Sequence, residues 1–200
     1  MAIDMNKSHK LLVACTTGLI GAQLIAGEAS AGPTEAERVL QSRELIKSFA
    51  KRLKDELVGA IKSGGPVSAI PVCRTAAPEI ARTKAAEKGW SLGRTALKLR
   101  NPANTPDAWE RAVLEKFAKE ARQGADLAKL EHYETTTHNG KRVFRYMKAI
   151  PTQKPCLTCH GADVTVDLKE KIRAFYPQDQ ATGFALGELR GAFTIIQPVK

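Results

Sequence analysis

The stretch LEHYETTTHNGKRVFRYMKAIPTQKPCLTCHG, residues 130–161, carries two signals that pull toward different kinds of protein. Its first part predicts a β-hairpin: LEHYETTT and RVFRYMKAI read as strands, and Asn139-Gly140 between them is a strong two-residue turn signal. Its last part is C-x-x-C-H, at Cys156, Cys159 and His160. That spacing puts two thiols and an imidazole on one side of a tight turn, as c-type haem attachment requires. The hairpin then argues against the four-helix cytochrome with a late motif, which needs helical periodicity throughout. The mitochondrial type of cytochrome c fits no better. It carries its motif near the N-terminus and a Met ligand downstream, and no Met follows Met147 here.

Two other chemistries compete for the motif. Zinc could draw ligands from Cys156, Cys159, His160 and Cys73, but structural zinc sites pair two close-spaced knuckles and no second knuckle exists. A dithiol switch wants a strand-to-helix setting and makes no use of the histidine. Haem is the reading the spacing favours. Cys73, Met147, His132 and His138 remain open for the far side of the iron. Each has an ordinary alternative: His132 and His138 as surface polar residues, Met147 as core packing, Cys73 as a small buried hydrophobe.

Working outward, residues 34–62 have a helical pattern, with Val39, Leu40, Leu45, Ile46, Phe49, Leu53, Leu57 and Ile61 at threes and fours. Thr34 and Glu37 predict a capping box. SGGP at 63–66 ends this long amphipathic helix. A short loop leads to Cys73, and a second helix over 75–88 closes at Gly89. WSLGRTALKLR (90–100) is extended. Thr105 and Pro106 read as N-cap and first-turn proline for a third helix, and 167–175 predicts a short one. GFALGELRGAFTIIQPV (183–199) reads as two strands turning near Gly187 to Gly191. About five mostly antiparallel strands with helices packed on the sheet make an α+β fold.

The N-terminal residues 1–31 read as a secretory signal peptide: Lys7 and Lys10, a charge-free apolar run from Leu11 to Ala26, and Ala29-Ser30-Ala31 before Gly32. An uncleaved anchor is the alternative. LVAC ending at Cys15 is a poor lipobox, because most of the apolar run follows the cysteine. Export implies a periplasmic domain over 32–200 with Cys73, Cys156 and Cys159, an odd number unsuited to a plain disulfide framework. The net charge of +10 suits an acidic protein partner or weak association with an anionic membrane surface. It does not suit nucleic acid, for want of basic-aromatic interleaving.

The blocks VCRTAAPEIA (72–81), GWSLGRTALKLRNPANTPDAWE (89–110), RYMKAIP (145–151), CLTCHG (156–161) and GELRGAFTI (187–195) together resemble a bacterial family of single-haem c-type proteins with a PAS-like fold and a cyanobacterial structural prototype. The resemblance runs from about Val39 to Pro198. It implies a five-stranded antiparallel PAS-like sheet flanked by helices, with one haem c in the pocket. It implies covalent attachment through Cys156 and Cys159, with His160 as one axial ligand and Cys73, just before APEIA, as the other. Ala96 stands where members often have Ser, a departure that leaves the ligands untouched. Members also occur fused before signalling modules, so a chain ending at Lys200 is expected to pass its output to a partner.

A thiolate opposite a histidine lowers the reduction potential of the iron. The expected function is therefore redox or gas sensing, with a diatomic gas taking the position Cys73 leaves and the loop carrying Cys73 as the two-state element. Arg94, Lys98 and Arg100 on one extended segment are the expected partners of the haem propionates, the alternative being a solvated charged face. A periplasmic electron-transfer cytochrome is the second reading, and a zinc-stabilised interaction module the third. Enzymatic activity, such as a peroxidase, is not expected, because Cys73 fills the side where an acid-base group would work.

Overall fold

The computed structural model describes residues 32–199. The signal peptide and Cys15 lie outside the described residues. The long helix α1 spans Glu35–Gly64 and opens on the expected capping box between Thr34 and Glu37. Its first half turns Val39, Leu45, Ile46 and Phe49 into a core with Phe144, Tyr146 and Ile195. Gln197 binds this half to the sheet, donating to Ser42 Oγ at 2.8 Å and to Arg38 O at 3.0 Å. Beyond Phe49 the apolar stripe continues as Leu53, Leu57 and Ile61, which line a cavity.

The chain next passes through a 3₁₀ turn Pro66–Ser68, a helical turn Ala69–Pro71 and a π-helical turn Val72–Ala76 before α2, Ala77–Ala86. Cys73 therefore sits on a widened helical turn, where the sequence predicted a loop. Ala77 N–H reaches back five residues to Val72 O. The widening comes just ahead of Pro78, which has no N–H and whose ring would press on the Arg74 carbonyl in a regular helix.

The strands are β1 (Ser91–Thr95), β2 (Glu131–His138), β3 (Lys141–Pro151) and β4 (Leu189–Pro198), with α3 at Ala108–Arg122 and α4 at Val166–Phe175. They form one antiparallel sheet in the order β1-β4-β3-β2. The hairpin between β2 and β3 turns at Asn139 (φ 51) and Gly140 (φ 73), as a two-residue primed turn demands. Both faces of β3 are covered. Phe144 and Tyr146 pack toward α1, while Met147 and Ala149 pack with Val113, Leu114 and Phe117 of α3. Met147 is thus a core residue.

Two expectations are corrected. Among the described residues the sheet has four strands, not five. The stretch before Leu189 is no strand, because its backbone bonds elsewhere: Gln180 N to Leu99 O, Gly183 N to Gly161 O and Phe184 N to His160 O. The N-cap of α3 is Asp107, not Thr105. Asp107 Oδ1 accepts from Glu110 N at 2.8 Å and Glu110 Oε2 from Asp107 N at 3.1 Å, a second capping box. Thr105 Oγ is committed to Pro102 O instead.

Candidate functional site

The C-x-x-C-H motif starts with the proline of a 3₁₀ turn, Lys154–Cys156, and ends in a single helical turn, Leu157–His160. Gly161 closes it by donating to Leu157 O at 2.9 Å. A Cβ at Gly161 would stand 2.6 Å from that same oxygen, so the residue after the histidine has no room for a side chain. The turn brings Cys156, Cys159 and His160 to one side, against the cavity below the second half of α1.

Cys73 lines the same cavity from the π-helical turn. Leu53, Leu57, Ile70 and Ile172 supply apolar wall, and Arg94 with Gly191 marks where β1 and β4 meet it. The three cysteines are free thiols. Burial pushes the Cys159 thiol up, the Arg100 charge pulls it part-way back, and Cys73 and Cys156 add to the rise. Burial, and then Cys73, likewise raise Tyr176.

His160 is ready to act as a ligand. Its Nδ1 lies 2.7 Å from Ala181 O. A carbonyl only accepts, so Nδ1 carries the proton and Nε2 keeps its lone pair. Burial, reinforced by the charges of Arg190 and Arg100, pushes the imidazole down to about 3, so it stays neutral across the physiological range.

The basic residues divide. Arg94 lines the cavity with its guanidinium 5.8 Å from the Phe49 ring centre. Arg190, which no sequence argument singled out, lines it too, against Phe184 at 5.3 Å. Neither has a carboxylate partner among the described residues. Burial pushes both down, Arg190 to about 10, with repulsion from Arg100 and Arg94 adding to it. Arg100 also borders the cavity, but its guanidinium forks onto Asp179. Lys98 is not part of the lining; it donates to Thr182 O at 3.1 Å and lies over the Phe184 ring. His132 stacks beside Trp109 on the far face of β2, and His138 borders the hairpin near Asp107.

Among the described residues, no three His, Cys, Asp or Glu side chains converge as a metal-ion cluster. The thiols and imidazole are instead spread around one largely apolar chamber, where Arg94 and Arg190 have no ion-pair partner among the described residues and Arg100 is paired with Asp179. That donor set fits a large, flat, dianionic metallocofactor bound by sulfur and nitrogen.

Comparison with known proteins agrees with this class. The chain belongs to the Tll0287-like family, whose model matches residues 27–198. It is similar in structure to the cyanobacterial heme-protein Tll0287, known from a crystal structure, with a TM-score of 0.57 and 25% identity. The match covers 80% of this chain and 96% of that one. No curated protein matches the chain.

Proposed function

We propose that this chain is an exported haem c protein that senses redox state or a diatomic gas. One observation carries the reading: a single largely apolar cavity is lined by Cys73, Cys156, Cys159, His160 and two arginines, Arg94 and Arg190, that have no ion-pair partner among the described residues. The solved relative, described as a heme-protein, supports it. When bound, haem c supplies an iron that cycles between ferric and ferrous and accepts a diatomic ligand at a free axial position.

Cys156 and Cys159 anchor the group. Their thiols would hold the haem by two thioether bonds, each the addition of an S–H across a vinyl group with no leaving group and no net oxidation. His160 offers Nε2 as a neutral axial donor, held in that tautomer by Ala181 O. Cys73, which lines the same cavity, would offer a thiolate as the second ligand. Arg94 and Arg190 would take the propionates, a role expected of Arg94, Lys98 and Arg100, because both line the cavity and neither is in an ion pair among the described residues. Release of Cys73 from a reduced iron would need it to take up a proton, and the residue stands on the π-helical turn Val72–Ala76.

The test is to express the chain with the c-type maturation machinery and record ferric and ferrous spectra of wild type and Cys73→Ala. Thiolate bands in the ferric wild type, absent from the variant, and carbon monoxide binding by the reduced wild type support sensing. A hexacoordinate wild type that refuses carbon monoxide in both oxidation states refutes sensing and favours electron transfer, for which the +10 charge would steer an acidic partner.

A further inference from the structure

Arg100 hydrogen-bonds both the motif and the segment 179–181. Its side chain is 10% exposed and pairs with Asp179, itself 7% exposed. Nε meets Oδ1 at 3.1 Å and Nη2 meets Oδ2 at 3.0 Å. The same Nη2 donates to Cys159 O at 2.7 Å and to Ala181 O at 3.2 Å. Asp179 Oδ1 also accepts from Ala181 N at 2.9 Å. Ala181 O is the acceptor of His160 Nδ1–H. The loop is closed: Asp179 holds the amide of Ala181, Arg100 holds its carbonyl, and that carbonyl holds the imidazole.

We infer that Arg100 and Asp179 are positioning residues that set the donor strength of His160 toward the iron. The inference rests on the haem reading above. A carbonyl shared between two donors accepts less from each, so Arg100 limits how far Ala181 O draws on the Nδ1 proton. His160 is thereby kept an imidazole, with little imidazolate character. Arg100 also places a positive charge beside the ligand, which disfavours the ferric state, and Asp179 tempers that charge. The two residues therefore act on the midpoint potential with opposite signs. A role confined to holding the strap 179–184 against the motif would give them the same sign.

The experiment uses the haem-loaded full chain and measures the midpoint potential by spectroelectrochemistry and the ferric g-values by electron paramagnetic resonance. Arg100→Gln removes the charge and frees Ala181 O for His160, so the potential falls and the g-values shift. Asp179→Asn leaves the charge of Arg100 untempered, so the potential rises. Arg100→Lys keeps the charge without the fork; its potential lies nearer wild type than that of Arg100→Gln, with broadened g-values. Unchanged potentials and g-values in loaded variants overturn the inference, and so do shifts of Arg100→Gln and Asp179→Asn in one direction. If Arg100→Gln fails to load, Asp179→Asn and Arg100→Lys decide by the same signs. Loss of folding by all three, read by circular dichroism, also overturns it, since the clamp is then a folding element. Wild type without covalent haem refutes the parent reading instead.

Discussion

Replacing Arg190 by Met should have opposite effects with and without the cofactor. In the cofactor-free chain Arg190 is a largely desolvated cation with no ion-pair partner among the described residues, held at about 10 against an ordinary 12.5 by burial and by Arg100 and Arg94, with Asp179 offsetting part of the fall. That corresponds to a cost on the order of 3 kcal/mol. Met keeps the aliphatic stem. It gives up the contact with Phe184, about 0.5–1 kcal/mol, and a long bond to Lys98 O at 3.4 Å. The apoprotein should gain about 1–2 kcal/mol. In the holoprotein the same change removes a charge-assisted bond to a propionate, a loss of about 1.5–3 kcal/mol. Urea unfolding of apo and holo forms, made without and with the maturation machinery, reads both. A destabilised apoprotein, or equal effects in the two forms, would refute the assignment of Arg190 to an absent anion.

Other consequences are as direct. His160 is held near 3 by burial and the charges of Arg190 and Arg100, below its ordinary 6.5. The unfolded chain takes up a proton that the folded chain refuses, so apoprotein stability should fall as pH drops from 6.5 to 5, approaching about 1.4 kcal/mol per pH unit. His160→Asn should flatten that slope in urea melts, and an unchanged slope would count against a buried neutral imidazole. Gly191 (φ 155) lies where an added Cβ would meet Thr95 O at 2.4 Å, whereas Gly187 (φ 83) has open space. Gly191→Ala should cost about 3 kcal/mol or more and Gly187→Ala about 1 by thermal unfolding; equal costs would contradict the close approach of β1 and β4. Asp107→Ala removes the cap of α3 and one of the two carboxylates beside buried Arg145, 2.8 Å away, leaving Glu110 at 3.4 Å. It should cost about 2 kcal/mol, against under about 1 for Thr105→Ala. The reverse order would restore Thr105 as the cap.

What was legible in the sequence follows from locality. The capping box at Thr34, the Asn139-Gly140 turn and the period of α1 are short-range signals, and each has its expected form. The motif turn is equally local, and Cys73 came into view through family resemblance and lies on the same cavity. The missing fifth strand was not legible. Residues 183–188 have strand-like spacing, but Gly183 and Phe184 bond to the motif rather than to the sheet, a long-range choice. Asp107 outcompeted Thr105 because Glu110 completes its box, a pairing visible as D-x-x-E but passed over for the proline signal. The sequence shows Arg190 as an arginine of GELRGAF but not its place on the cavity, which depends on β4 pairing beside β1. Arg100 and Lys98 share an extended segment with Arg94, yet Asp179 and Thr182 claim them.

The most direct test of the central claim is the mass of the chain purified after expression with the c-type maturation machinery and extracted with acid-acetone. Retention of one haem's added mass, lost from Cys156→Ala/Cys159→Ala, is the predicted result. A pigment that extracts freely, or a chain that never acquires one, would contradict it.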